Sequence, residues 1–406
     1  MNQIDTFMPA SVDNRRVWAQ IDLDALVNNY IVSRDYIHSH NPNTPAVAVI
    51  KADSYGHGIG PCARALYKAG CRHFAVASAE EGVAIRQALA DLATEPARVL
   101  ILGYTNPEYA ALLHNYNLTQ TLFSPEYARD LQACAKAAGI TLAVHVKVDT
   151  GMHRIGFPAF TPEQAAETVD AICALTDSCD AFDVRGLFTH LSDADCGNFC
   201  YEQWQRFLLV KQGLESRGKC PPVCHACNSP GCMRYPETYL DGVRLGALLF
   251  GVTPPIPPEV DRDPDCNLFP ADALRPVMRL QTRIIQIHKV AAGEPVGYGA
   301  LYRSDRDRMV ATLSAGYADG WLRAYADTDV TVHTASGDVT ARMVGRICMD
   351  LCMIDVTDLP CRVGDVVTLF GNDVQSLSSL AKHAGSIAYE IPCLVTARVP
   401  RIYDQE

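Results

Sequence analysis

Eight short runs rich in β-branched and other apolar residues lie within the first 250 residues of this 406-residue chain, and most lead into a stretch of helical periodicity. They fall at 46–50, 73–78, 98–102, 118–123, 142–148, 184–191, 223–228 and 243–250. At 79–93, 125–138, 162–175 and 201–217 apolar residues recur at spacings of three and four, as on one face of a helix. Strand alternating with helix predicts a parallel sheet, and eight such units predict closure into a (β/α)₈ barrel of the TIM type. Capping chemistry agrees. Ser78 precedes Ala79-Glu-Glu, with acids suited to a helix's first turn, and Thr161-Pro162 puts proline where the first helical N–H has no partner anyway. Upstream, Trp18-Ala-Gln-Ile-Asp-Leu predicts a strand leading into an amphipathic helix outside the eight units, with Leu23, Leu26, Val27, Tyr30 and Ile31 on one side.

The pattern changes after Gly251. A proline-rich segment, Thr253-Pro-Pro-Ile-Pro-Pro-Glu, and the acidic stretch 261–265 mark a domain boundary. Beyond it, alternating runs at 280–288, 329–333, 339–344, 349–356 and 366–370 are separated by Gly-Asp turns and predict a mostly β domain. The fold class expected is α/β: a barrel over 15–255, then a mostly β domain over 256–406, with residues 1–14 a candidate addition to the second.

Composition narrows the function. Hydrophobic residues make up 48% of the chain, enough for sizeable cores. A net charge of -11 without any basic stripe argues against nucleic acid as a partner. Residues 1–16 lack the apolar core of a secretory signal, and no run of about 18 apolar residues could span a bilayer, so a cytoplasmic location without membrane contact is expected. Sixteen cysteines are then expected as reduced thiols. Cys220, Cys224, Cys227 and Cys232 do not follow a standard zinc spacing, and strand alternation at 223–228 would point them apart, so no metal is expected.

In such barrels chemistry gathers where strands end. Lys51 follows the first strand directly, either as a strand-capping lysine or as an amine that burial frees to act as nucleophile. On the fifth strand Val144-His-Val-Lys-Val-Asp149 alternates strictly, so His145, Lys147 and Asp149 share a face, with Arg154 just beyond. That cluster reads either as a cationic site for an anionic ligand or as an ion pair of Asp149 with Lys147 or Arg154. His190, His225, Asn228, Ser229, Arg244 and Gly246 lie at or near the last three strand ends; phosphate is commonly held by the loops after the seventh and eighth, a role that Ser229 and Gly246 fit.

Four segments carry a more specific signal: Ala48-Val-Ile-Lys-Ala-Asp-Ser-Tyr-Gly-His-Gly, Lys147-Val-Asp-Thr-Gly-Met-His-Arg-Ile-Gly, Gly316-Tyr-Ala-Asp-Gly and Gly345-Arg-Ile-Cys-Met-Asp. In this order they resemble the alanine racemases, and the likeness extends from Trp18 to Arg401. The resemblance implies an isomerase that interconverts L- and D-alanine with pyridoxal 5'-phosphate held as a Schiff base by Lys51. It implies Tyr55, Asn228, Ser229, Gly246 and Ala247 around the cofactor phosphate, Arg244 facing the pyridine nitrogen, His190 beneath the ring and His225 supporting Arg244. It further implies Tyr298 as the base opposite Lys51, supplied by the partner chain of a homodimer, with Tyr317 and Met349 in the same wall and Asp350 as a supporting residue. Arg154 would meet the substrate carboxylate, and Lys147 corresponds to a lysine carbamylated in many relatives. The cellular role implied is supply of D-alanine for peptidoglycan.

The chain departs from the family pattern twice. Ala397 stands where a tyrosine often precedes Arg-Val-Pro-Arg, which keeps serine or broader amino-acid substrates as an alternative. Pro230 follows Ser229 and has no N–H to offer a phosphate. A non-catalytic pyridoxal-phosphate carrier would resemble the barrel alone, whereas Tyr298, Tyr317 and Met349 lie beyond it. The partner-derived cysteine and acidic substrate contacts of a decarboxylase of similar fold are not evident.

Overall fold

The computed structural model describes residues 15–92, 94–178, 180–195, 197–254 and 269–404. They divide into two compact units: residues 25–54 with 58–275, and the chain up to residue 24 with 55–57 and 276 onward. The end of the expected 79–93 helix at Ala93, most of the proline-rich and acidic boundary segment, and residues 1–14 lie outside the described residues.

The first unit is the expected barrel. Its parallel strands are Ala46–Val49, His73–Val76, Arg98–Ile101, Thr119–Leu122, Leu142–Asp149, Phe182–Phe188, Val223–His225 and Val243–Leu245. They follow one another in chain order, and the eighth pairs with the first, Val243 opposite Ala46 and Leu245 opposite Ala48. Between the seventh and eighth only isolated backbone bonds remain, Asp241 N to Cys224 O at 2.9 Å and Arg244 N to Cys227 O at 3.1 Å, so the barrel is nearly closed. Four of the intervening helices are Ala79–Leu89, Pro125–Ala137, Pro162–Ser178 and Phe199–Ser216. Ser78 caps the first of these by accepting from Glu81 N.

The last two strands are shorter than expected. Asn228 stops the seventh by capping a short helix, Ser229–Arg234, and the residues expected to complete the eighth form the 3₁₀ turn Ala247–Phe250, ended by left-handed Gly251. All four residues of that turn are buried, and an apolar run so short has no period to separate strand from turn.

Alternation on the fifth strand sets up the site. Val146 and Val148 pack outward against Val169, Ile172, Trp204, Phe207 and Leu214 of the covering helices. His145, Lys147 and Asp149 therefore face the lumen.

The second unit is the expected mostly β domain. Arg308–Leu313, Cys352–Asp355, Gly337–Val344, Asp329–Thr334, Val366–Phe370 and Met278–Val290 are joined in that order, and Met278–Val290 also pairs with Arg308–Leu313, closing a ring of six antiparallel strands. The strand expected from Trp18 is present as Val17–Asp22 and runs into the helix Leu23–His40, but it pairs with Met278–Val290 and Arg401–Asp404 in this sheet. Local periodicity identifies a strand, not a partner so distant in the chain. Met349, expected within a strand, precedes Cys352–Asp355.

One buried carboxylate fixes a turn of this unit. Asp319 accepts from Arg16, from Arg398 Nε at 2.8 Å and from Gly316 N at 3.0 Å, and so sets the turn Tyr317–Asp319. Its side chain is fully buried while both arginines keep about two fifths of their exposure, so solvent screens part of the pairing. Asp319→Asn is expected to cost about 2 kcal/mol, below the 3–5 kcal/mol of a fully buried pair. An unchanged urea midpoint would show that the carboxylate is not what holds the turn.

Candidate active site

Lys51 stands at the exit of the first strand, half-buried, and the four residues after it are all left-handed: Ala52, Asp53, Ser54 and Tyr55 have φ of 53°, 52°, 55° and 53°. None is glycine, and each such residue costs roughly 1–2 kcal/mol. Tertiary bonds hold the turn in place. Ser54 N donates to Ile50 O at 3.0 Å, and Ile59 N donates to Asp53 Oδ1 at 2.7 Å. Glu81 accepts from Asp53 N at 3.2 Å and from Ala77 N at 2.8 Å, tying the exits of the first two strands together. Neither acid was expected at the site, Glu81 having been read only as a first-turn acid of the helix after Ser78; an Asp and a Glu near successive strand exits were the signal.

On the fifth strand the ion pair, one of the two readings left open, is not found among the described residues. Asp149 Oδ1 accepts from the amides of Gly151, Met152 and His153 at 2.9–3.1 Å, and Oδ2 accepts from Arg154 N at 2.8 Å. The carboxylate is spent on folding the turn that carries Arg154. Lys147 stays beside it as a buried amine whose pKa falls to about 7, through burial first and then the charges of Arg154, Arg244 and Lys51.

Arg244, only 3% exposed, is the centre of the lumen. Its Nη1 donates to His225 Nδ1 at 2.6 Å, and its Nη2 to the carbonyls of Thr189 and Ala226 at 2.8 Å and to His190 Nδ1 at 3.3 Å. Burial and the Arg244 charge push both histidines well below the usual imidazole range, so they accept as neutral rings. Arg154, Lys147 and Lys51 also act on His190, which sets these cations in one neighbourhood. Phe188, not foreseen from the sequence, stacks on His225 with ring centres 4.8 Å apart and lies 5.5 Å from the Arg244 guanidinium and 5.8 Å from Lys147 Nζ. Its position two residues before His190 on an alternating strand was the available signal.

At the neighbouring strand ends, Gly246 N donates to the buried Ser229 hydroxyl at 2.9 Å, and Ala247 is buried next in the chain. Asn228 works on backbone, accepting from Gly231 N at 3.0 Å and donating to Leu191 O at 2.9 Å. Burial pushes the Tyr55 phenol up, which keeps it a protonated donor. In the second unit, Tyr317 N and Ala318 N donate to the carbonyls of Cys348 and Met349 at 3.0 Å, and Asp350 accepts from Arg398 Nη2 at 2.7 Å. A Cβ on Gly299, beside Tyr298, would lie 3.3 Å from the Arg346 guanidinium. The loop 345–350 thus gathers Tyr298, Tyr317 and Met349, with Tyr298 70% and Met349 54% exposed.

A family model for the alanine racemase N-terminal domain matches residues 21–254, and one for the C-terminal domain matches 277–403. The chain belongs to the alanine racemase family. It is 39% identical to an alanine racemase of Desulfovibrio desulfuricans over 393 residues, 96% of this chain and 98% of that one. Among solved structures, alanine racemase from Streptomyces coelicolor superposes with a TM-score of 0.84 at 31% identity over 97% of this chain and 99% of that one. The Clostridium difficile alanine racemase in complex with cycloserine gives 0.80 at 32% identity over 96% of each. Among the described residues no cluster of His, Cys, Asp or Glu is arranged to hold a metal, and no helix is long and apolar enough to cross a membrane.

If Asp149 builds the turn as described, Asp149→Asn removes charge-assisted bonds of about 1.5–3 kcal/mol each and sets an amide N–H₂ against backbone donors. Hydrogen exchange at 151–154 is then expected to accelerate at least tenfold relative to the outward-facing Val146 and Val148; equal exchange would remove Asp149 from this role.

Proposed function

We propose that this chain, an alanine racemase by family, works with pyridoxal 5'-phosphate and one base on each face of the substrate's Cα: Lys51 from the barrel and Tyr298 from a second copy of the chain. The observation carrying this reading is Arg244, a buried cation whose two terminal nitrogens are bound to carbonyls and neutral imidazoles while Nε has no partner among the described residues. An N–H fixed in this way suits a ring nitrogen that must stay unprotonated, because a guanidinium donates and does not give up its proton. Ser229, Gly246, Ala247 and Tyr55 suit the phosphate, with Asn228 holding the turn under it, and Lys51 is the amine that would hold the cofactor covalently. Bound there, the cofactor would withdraw electrons from the substrate and acidify its Cα–H, only moderately if its ring nitrogen is unprotonated.

The remaining chemistry belongs to the chain. Arg154 receives the substrate carboxylate and the Met349 N–H of the second copy supplements it, so that Cα is held between the two bases. The Tyr298 oxygen takes the proton from L-alanine and Lys51 Nζ returns one on the opposite face; the D isomer runs the sequence in reverse. The exposure of Tyr298 and Met349 supports a wall built for another chain, and hence a homodimer. A cytoplasmic enzyme supplying D-alanine for peptidoglycan accords with this reading.

The carbamate belongs to the same reading. With a pKa of about 7, roughly half of the Lys147 amine is neutral at neutral pH. Its lone pair forms an N–C bond to carbon dioxide, one proton leaves for solvent, and the resulting anion accepts from Arg154. A ¹³C resonance in the carbamate range is expected after equilibration with labelled bicarbonate and should vanish in Lys147→Gln; its persistence there would exclude this lysine.

Lys51→Ala is expected to abolish turnover and the visible band of the bound cofactor. Tyr298→Phe should slow proton abstraction from L-alanine by a factor of about 10²–10⁴ and from D-alanine far less. Equal loss in both directions would overturn the assignment of one base per face. Ala397, exposed where relatives often carry tyrosine, favours serine as a second substrate, and the same assay on L-serine measures it.

A further inference from the structure

The opposite, N-terminal end of the barrel holds a cavity of about 560 Å³, lined by the starts of the strands. Arg98 and Arg185 stand exposed at its rim, His73 and His145 lie deeper, and Val47, Phe74, Val99 and Leu100 form apolar walls. Arg86 also lines it but is committed to the carbonyls of Ala97, Tyr116 and Asn117. Two carboxylates are close: Asp241, which accepts from Cys224 N at 2.9 Å, and Asp183, which pairs with Arg185 at 2.7 Å. With three guanidiniums against them, the balance at the cavity is positive.

A file of rings leads inward from this cavity. His145 Nδ1 lies 3.1 Å from His225 Nε2, and His225 Nδ1 lies 2.6 Å from Arg244 Nη1. Proton bookkeeping gives the file one direction. Arginine can only donate, so His225 Nδ1 accepts and a neutral His225 carries its proton on Nε2. That proton is donated to His145 Nδ1, which leaves the proton of a neutral His145 on Nε2, an atom without a partner among the described residues. The neutral state of His145 is secured by burial and then by the charges of Arg185, Arg98 and Arg244, which hold its pKa at about 3; burial and Arg98 hold His73 at about 4. The cavity thus meets an N–H donor at its inner end and guanidiniums at its rim. Gly186 makes the placement of this ring possible: a Cβ there would fall 2.4 Å from His145 Nδ1.

We propose that this cavity binds a small organic carboxylate, received by Arg98, Arg185 and the Nε2–H of His145, and that the bound charge is felt at Arg244 through the two imidazoles. An acceptor on His145 Nε2–H makes that ring a better acceptor for His225, which in turn makes His225 Nδ1 a better acceptor for Arg244. Apolar walls and volume favour an organic anion over a bare inorganic one. The binding half stands on the cavity alone; the coupling half rests on Arg244 facing the cofactor, as proposed above.

The test titrates benzoate, too bulky for an alanine site, into the cofactor-loaded enzyme by calorimetry, with sulfate in parallel. One benzoate per chain is expected, undisturbed by saturating D-alanine and weakened at least tenfold in Arg98→Gln and in Arg185→Gln, either of which suffices if the other fails to fold. No binding, equal affinity for sulfate, displacement by D-alanine, or full affinity in a folded variant would each overturn the site. For the coupling, with each protein saturated with benzoate as judged by calorimetry, benzoate is expected to shift the cofactor's visible band in the parent enzyme and not in Gly186→Ala, whose added methyl displaces His145. Binding without a band shift, or a shift retained in Gly186→Ala, would overturn the coupling while leaving racemisation, assayed without benzoate, untouched.

Discussion

Everything at the catalytic end of the barrel depends on a guanidinium buried without a carboxylate. Taking an isolated cation out of water costs several kcal/mol unless its donors are satisfied. The terminal nitrogens of Arg244 are satisfied by two carbonyls and two imidazoles, so these hydrogen bonds are made while its charge is not cancelled. A carboxylate placed there would have cancelled the Arg244 charge and weakened the lumen's need for an anion. Asp149, the carboxylate that the fifth strand sends into the lumen, is diverted to four backbone amides. Its negative charge builds a turn and leaves Lys51, Lys147, Arg154 and Arg244 as a field that a phosphate and a substrate carboxylate can complete.

The same field accounts for the state of each neighbour. His190 and His225 could not accept from Arg244 if they were protonated, and burial first, then the surrounding cations, keep them neutral. Lys147 would be a further expensive buried charge, and burial first, then the neighbouring cations, bring its pKa to about 7. The strained turn after Lys51 belongs to this logic too. Four left-handed non-glycine residues persist only because Asp53 and Glu81 over-determine them, and what they fix is the direction in which the Lys51 side chain leaves the first strand.

How much of this was legible in the sequence follows from the range of each interaction. The barrel strands show as local runs, and rim residues such as Lys51, His190 and Arg244 follow from where those runs end. The strict alternation of 144–149 put His145, Lys147 and Asp149 on one face, as found. What alternation does not carry is a partner: Asp149 looked equally able to pair with lysine or arginine, because amides donated by the turn that follows leave no mark in residue type. Glu81 and Phe188 were missed for a related reason, since each acts across two strands whose spacing only the closed barrel defines. The strand Val17–Asp22 was legible as a strand, whereas its place beside Met278–Val290 depends on pairing far along the chain.

A TIM-type lumen is ordinarily filled by layers of branched apolar side chains. Here one strand sends a histidine, a lysine and an aspartate inward in succession, and the neighbouring strands answer with Phe188, His225 and Arg244. His145, His225 and Arg244 are each met by another of the set and Asp149 by the amides of the turn after it, so removing one of these leaves a buried donor or acceptor behind. The result is a polar file through a core that would otherwise insulate the two ends of the barrel from each other. Since its protons are ordered by an arginine that can only donate, the file has a fixed direction, from the guanidinium at the catalytic end to an imidazole N–H at the base. An apolar filling would have given a comparable fold. It would not have given Arg244 a set of neutral acceptors, and without those the charge on which the site depends could not be buried.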